Sequence, residues 1–287
     1  MGFIYILFVV LGITTVSYLG KLSAKSSVPS FDFTIAMFAA ATILGYVFSK
    51  LNNVGPASYS GELWLISIFA GIGGAAAVFL FNNAVRYGHF GYSNAIYRSS
   101  FLIPVILSIA AFKATLTVTT IIGILSILVS IFLVSWSNDT FKRVNGKNNI
   151  TWFFMILCAF IASGSPRIGQ LLISYKKLNS SAYLFASYAA GFILLLLCFL
   201  FRRKQLNIRA LFYGSIAALA SFAGVYFTIE ALKILPAAIV FPLTLSVPIL
   251  LGMLISFIYK ENIRPAGWVG VALGVFGILI LSFQTYR

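Results

Sequence analysis

Apolar residues gather into long unbroken runs along the whole chain, separated by short polar intervals. Crossing a bilayer as a helix takes about 20 mostly apolar residues. Windows of that kind lie at 3–20, 33–49, 63–84, 90–112 and 116–136, and again at 152–175, 182–201, 210–231, 234–259 and 266–283. The pattern predicts an all-α membrane protein of ten transmembrane helices. A barrel is excluded, because its strands would alternate apolar and polar positions over about 10 residues. The intervals 50–60, with Gly55 and Pro56, 137–149 and 202–209 read as loops by composition. Other connections are very short, so neighbouring helices run antiparallel. The first run has no basic lead-in and no small-x-small cleavage site, and it reads as a retained helix rather than a removed signal.

The order of features recurs. Sliding the chain on itself by 147 residues sets Ala84 on Ala231, Arg86 on Lys233, Lys113 on Lys260, Gly123 on Gly270 and Ser135 on Ser282. A slide of 150 residues sets 33–44 on 183–194. The chain therefore divides into an N-terminal five-helix repeat, 1–137, a connecting loop, 138–150, and a C-terminal five-helix repeat, 151–287. An odd number of spans in each half turns the second half over in the membrane. Two inverted five-helix repeats are a device of secondary transporters, with the solute site near the midplane.

Composition narrows the class. Apolar residues make up 61% of the chain and charged residues 9%, with mean hydropathy +1.02, which leaves no stretch for an extramembrane domain. Twenty Lys and Arg against five Asp and Glu give a net charge of +15. The cations are scattered between apolar runs and form no basic face, so the expected partner is the lipid bilayer with its anionic headgroups, and no nucleic acid. They are more numerous in the odd-numbered connections, and the positive-inside rule then puts both termini outside. Cys158 and Cys198 fall inside apolar runs and suggest neither a disulfide framework nor a metal site. With one histidine, His89, and no metalloprotease, phosphate-loop or paired-aspartate motif, no enzyme activity, cofactor or metal is expected.

Ionisable residues in mid-membrane cost about 2.5–3.5 kcal/mol each on insertion scales, so they point to function. Arg98 shares a helix face with Asn94, Tyr97 and Phe101, and Arg167 shares one with Ser163, Pro166 and Gln170. A slide of 149 residues sets Ser163, Arg167 and Gln170 on Thr14, Tyr18 and Lys21, a second polar stripe. Asn82, Asn83, Tyr226 and Glu230 are additions at a cavity mouth or floor. Structural readings stand beside these: Lys21, Arg86 and Lys233 snorkelling to headgroups, or Arg98 bridging to Glu230. The run from Gly71 to Ala77 reads as close helix packing, and Gly270 with Gly274 as packing within the chain or in a dimer, so that a monomer or a homodimer is expected. Pro104, Pro242 and Pro248 are candidate gating positions, the ninth segment being the principal bending element.

Gly12 in the first segment, Pro104 and Pro248 in the fourth and ninth, and the turn from Tyr259 to Pro265 followed by Gly270, Gly274 and Gly277 carry a likeness. The chain resembles the drug/metabolite transporter superfamily, specifically its EamA-type ten-helix members. It departs from their pattern where Tyr259 and Lys260 precede Glu261 in place of glycine, where Ala114 stands at the glutamate position of the first half, and where Leu11 precedes Gly12 in place of tryptophan. The resemblance implies both termini in the cytoplasm, against the charge count. It also implies a cavity lined by segments 1, 3, 4, 6, 8 and 9, with 5 and 10 as braces.

The expected function is alternating-access transport, by rocking of the halves, of a small polar solute, anionic or zwitterionic, in a bacterial inner (cell) membrane. Five acidic residues, Asp32, Glu62, Asp139, Glu230 and Glu261, are too few for a cation site or carboxylate relay, whereas arginine offers forked donors matched to carboxylate and phosphate. Two alternatives stand: a flippase of a lipid-linked phosphate compound, and an exporter of cationic or aromatic compounds using Tyr18, Tyr97, Phe101, Tyr226 and Glu230.

Overall fold

The computed structural model describes residues 2–87, 90–112, 117–137, 146–202, 205–258 and 265–283. These form helices and short turns, with no strand among them. The helices are α1 (Gly2–Lys25), α2 (Ser30–Leu51), α3 (Gly61–Tyr87), α4 (Phe90–Ser99), α5 (Leu102–Phe112), α6 (Val118–Ser137), α7 (Gly146–Tyr175), α8 (Ser180–Arg202), α9 (Ile208–Leu232), α10 (Ala237–Ile258) and α11 (Pro265–Phe283). Helices satisfy every backbone group internally, which is what hydrocarbon demands. Six described helices are long and apolar enough to span a membrane, and the shorter apolar stretches Ile96–Ala111, Val118–Leu133, Ala237–Pro248 and Pro265–Leu281 occupy the other four expected windows. The chain is an integral, multi-pass membrane protein. One element differs from expectation: the fourth window is not a single helix but two, α4 and α5, parted at Ser100 and Phe101. His89, Ala114, the turn at 259–264 and most of the connecting loop lie outside the described residues.

The repeat is visible in local geometry. After α1, Ser27 has φ 59°, and after α7, Lys177 has φ 53°. The same hydrogen bonds close both turns: Val28 N–H to Ser23 O and Leu178 N–H to Ile173 O, each at 3.0 Å. This is a Schellman-type stop, which needs a left-handed residue just past the helix. Ser30 and Ser180 then open α2 and α8, 150 positions apart, and the two helices bury and expose matching faces, with Ile43 and Ile193 both exposed. α3 and α9 begin 147 positions apart, as do α4 and α10, and α6 and α11. The change of spacing falls in the α2–α3 connection, which holds the extra 3-10 turn Pro56–Ser58.

Packing groups the helices into two compact units that cut across the sequence halves. The first holds Met1–Phe79 and Ala162–Ile234, and the second Leu80–Ile161 and Leu235–Arg287. In the first, α1 packs on α9, and α2 lies against both α8 and α9. Equivalent helices α2 and α8 run antiparallel: Arg202 at the end of α8 reaches Asp32 at the start of α2, while Ser49 near the end of α2 donates to the carbonyl of Ser181. In the second unit, α6 and α11 form the broadest contact. They too are equivalent and antiparallel, with Gly123 against Leu281 and Ser130 against Gly274. Inversion of the repeats is thus written into both units.

Glycine allows the closest crossings. A methyl on Gly12 of α1 would sit 2.6 Å from the Ala220 carbonyl of α9, and one on Gly277 of α11 would sit 2.9 Å from the Gly123 carbonyl of α6. Gly71 and Gly73 press on Ser187 and Ser165, as the small-residue run predicts.

Candidate functional site

The polar chemistry of the first unit centres on α7, where Pro166 interrupts the hydrogen-bond ladder. Proline has no N–H, so the carbonyl four residues earlier, Ala162, loses its donor. The Ser165 hydroxyl replaces it, donating to Ala162 O at 2.7 Å. The Tyr183 hydroxyl of α8 donates to the Pro166 carbonyl at 3.3 Å. Arg167 is half-buried, and its guanidinium donates to the carbonyl of Ser163. Ser163 is buried, and Gln170 is 8% exposed. The Gln170 amide forms no hydrogen bond among the described residues, and its polar atoms are not among the fully enclosed ones that lack a partner, which are the Ser67 and Ser246 hydroxyls. Ser163, Arg167 and Gln170 thus share one helix face, in the arrangement their spacing predicts.

The α1 stripe stands differently. Helix ends and burial match at a spacing of 150, so Ser163, Arg167 and Gln170 fall against Ile13, Ser17 and Gly20, and not against Thr14, Tyr18 and Lys21. The expected spacing of 149 is corrected by one residue, because the matching helix stops at Ser27 and Lys177 fix the register. Thr14 spends its hydroxyl on Val10 O at 2.7 Å. Tyr18 is 59% exposed. The side chain of Lys21 lies outside the described set.

Tyr226 and Glu230 sit one turn apart in α9. Glu230 occupies the last turn of the helix. Its carboxylate accepts from Lys233 Nζ at 2.5 Å and from the Ser180 hydroxyl at 3.2 Å. Tyr226 packs edge-on against Phe48 at 5.3 Å.

In the second unit Arg98 is 8% exposed, in the last turn of α4. Pro104 contributes to the break that follows. It deprives the Ser100 carbonyl of its helical donor, and Ile103 N–H supplies one from three residues away, at 3.1 Å. The Ser100 hydroxyl turns back to Tyr97 O at 2.6 Å. Tyr97 stacks at 4.5 Å on Phe81, which neighbours half-buried Asn82. Ser93 accepts from Trp152 Nε1 at 2.7 Å. The side chain of Asn94 lies outside the described set. α10 remains one helix through Pro242 and Pro248, so the interrupted member of the pair is the fourth segment, not the ninth.

Residues 149–283 match the EamA-like transporter family. The chain carries an EamA-family domain. A protein of Proteus mirabilis (strain HI4320) described as probable 4-amino-4-deoxy-L-arabinose-phosphoundecaprenol flippase subunit ArnE is 40% identical over 63 residues, 22% of this chain and 55% of that protein. The chain thus spans about half the length of this curated relative. One solved structure, titled a crystal structure of protein, has the same fold at a TM-score of 0.72, with 15% identity over 96% of this chain and 97% of that one. α7 and α9, with Arg167, Gln170, Tyr226 and Glu230, lie in the EamA-matched residues. Arg98, Thr14 and Tyr18 precede them.

Three polar contacts of this EamA-bearing chain escape sequence reasoning. Buried Asp32 accepts from Arg202 Nη1 at 3.0 Å and from the Asn207 backbone N–H at 3.1 Å, tying α2, α8 and the start of α9 together. Glu62 pairs with Lys176. Tyr183 holds Pro166. Each joins residues more than a hundred positions apart or crosses between helices, and no local pattern marks such a pair. The one signal in the sequence is Asp32 in the first turn of α2, where a carboxylate favours the helix dipole.

Proposed function

We propose that this protein, with its EamA-family domain, is a secondary transporter whose solute bears a carboxylate or phosphate group, received in the first unit by Arg167 with Ser163 and Gln170 on α7; Arg98 at the end of α4, in the second unit, is a separate candidate group for such an anion. The observation carrying this reading is a half-buried guanidinium within a helix long and apolar enough to span a membrane, one turn from the Gln170 amide, which has no hydrogen-bond partner among the described residues and is not fully enclosed. Arginine matches carboxylate and phosphate through paired donors. The carboxylates argue the same way. Asp32, Glu62 and Glu230 are each joined to a cation, at Arg202, Lys176 and Lys233, so none of these three is free to receive a cationic solute.

Alternating access suits the inverted repeats, with the interruption before Pro104 and the prolines at 242 and 248 as gating points. Thr14, Tyr18, Lys21, Tyr226 and Glu230 in the first unit, and Asn82, Asn94 and Tyr97 in the second, are further candidate solute contacts, each within its own unit. A second reading has a specific observation behind it. The likeness to a flippase subunit for a phosphoundecaprenol compound makes a lipid-linked phosphate in a bacterial inner membrane the alternative cargo.

The test is proteoliposome transport by the wild type, Arg98→Ala and Arg167→Ala. Soluble inorganic phosphate, glucose 6-phosphate and glutamate form one arm, and fluorescent undecaprenyl phosphate the other. Charged hydrogen bonds are worth about 1.5–3 kcal/mol, so each variant should lose about 10- to 100-fold in apparent affinity. Full activity in both variants overturns the reading, and the arm that responds identifies the cargo.

A further inference from the structure

Four features around Arg167 occur together in the second half of the chain and are absent together from the first. Pro166 breaks the ladder of α7, Arg167 follows it, Gly169 lies two residues beyond Arg167, and Tyr183 sits across from them on α8. At the structural spacing of 150 their counterparts are Val16, Ser17, Leu19 and Phe33. Where there is no proline there is no arginine, and the facing ring carries no hydroxyl. The tyrosine hydroxyl is also not a requirement of the fold, since α2 packs at the matching position with Phe33, which is buried.

The geometry shows how the four depend on one another. The Tyr183 side chain is 1% exposed, and its hydroxyl donates to the carbonyl of Pro166 at 3.3 Å. That hydroxyl lies where a methyl on residue 169 would be, 2.6 Å from the ideal Cβ position of Gly169. Glycine at 169 is therefore what lets the ring reach the proline. A proline loosens its helix by removing one hydrogen bond and crowding the preceding turn. Ser165 ties the carbonyl before the break, and Tyr183 ties the carbonyl at the break itself. Arg167 is the next residue, so the direction of its side chain follows from the path that this tie imposes.

We propose that Tyr183 is a positioning residue for Arg167, its buried hydroxyl fixing the path of α7 at Pro166 and thereby the direction of the guanidinium. The proposal rests on the reading of Arg167 as the group that receives an anion, and it gives the two repeats unequal duties. The second holds a set arginine on a proline-loosened helix, while the first has Ser17 at the matching position, its hydroxyl donating to Ile13 O, and Phe33 across from it.

The experiment is phenylglyoxal modification of the full-length protein in detergent, read at individual arginines by peptide mass spectrometry. Tyr183→Phe removes the hydroxyl and installs the ring found at Phe33. The expected result is a severalfold change in the modification rate at Arg167, an unchanged rate at Arg98, and a melting temperature within a few degrees of wild type. An unchanged Arg167 rate overturns the proposal, and so does a parallel change at both arginines, which would mark a general loosening. Gly169→Ala crowds the Tyr183 hydroxyl and also the Ala70 methyl at 2.8 Å, so it is paired with Ala70→Gly, and that double variant must reproduce the Arg167 change; if Tyr183→Phe yields no folded protein, the double variant decides the matter by the same criteria. Transport by Arg167→Ala is read separately. If that variant transports normally, Arg167 is not the group that receives the anion, while the labelling result for Tyr183 stands.

Discussion

At the residue scale, charge in this protein is placed by pairing. Asp32 is the most deeply buried of the described carboxylates, yet it carries a partner on each oxygen: the Arg202 guanidinium on one and the Asn207 backbone on the other. Arg202 also lies over the Phe31 ring, 4.8 Å from its centroid. Removing one partner of such a node leaves the others desolvated and unpaired, which costs more than the pair contributes when intact. Asp32→Ala is therefore expected to lower stability by about 1.5–3 kcal/mol, the range for hydrogen bonds to charged groups, and not more, because Arg202 is partly exposed and regains some solvation. Thermal unfolding in detergent checks it: a melting temperature equal to wild type would show that Asp32 contributes nothing. Lys233→Ala is a useful contrast, since its pair with Glu230 spans only three residues on one helix and is more exposed, and should cost less than Asp32→Ala.

At the element scale, helix packing here depends on backbone approach rather than on a hydrophobic drive, since lipid is as apolar as the side chains it would replace. The α6–α11 crossing illustrates this. Gly277 faces the Gly123 carbonyl and Ile127, and Gly274 faces Ser130 and Leu250, so the glycine face of α11 is occupied within the second unit. Gly277→Leu forces a side chain into a space closed at 2.9 Å by the Gly123 carbonyl and by Ile127, and should destabilise by about 1–3 kcal/mol or more through overpacking. Size-exclusion profiles and melting of purified protein would test this, and a monodisperse variant of wild-type stability would sink it. The helices themselves are legible in the sequence, because apolar runs of membrane length are long and strongly contrasted with their flanks. The break at Ser100 and Phe101 is not. Pro104 announces a weakness, but Pro242 and Pro248 announce one equally, and α10 stays whole. Its Thr244 hydroxyl bonds back to Val240 O at 2.9 Å, and the stretch 237–246 is buried throughout. Which proline breaks a helix is decided by tertiary support that no local pattern encodes.

At the scale of the whole molecule, the repeat is legible in the sequence and the packing is not. Spacings of 147 and 150 recur in the helix starts, yet the sequence halves are not the compact units. Each unit draws helices from both halves: α1, α2 and most of α3 pack with the later part of α7, α8 and α9, while α4, α5 and α6 pack with α10 and α11. The polar stripe on α7 is legible because helical spacing is local, whereas its one-residue register against α1 depends on where two helices stop. Interleaving has a direct consequence for folding. Neither repeat alone can bury the Gly12 face of α1, which needs α9, or the Gly123 face of α6, which needs α11. Cutting the chain within 138–145 and expressing the fragments separately should give two unstable proteins, whereas co-expression should restore a complex that co-purifies on a tag carried by one fragment. The same cut leaves every described helix whole, so loss of folding in the separate fragments would report missing partners rather than broken elements. Two fragments that each purify as folded, monomeric five-helix proteins would show that the contacts between repeats are dispensable, and with them the interleaved arrangement as the basis of stability.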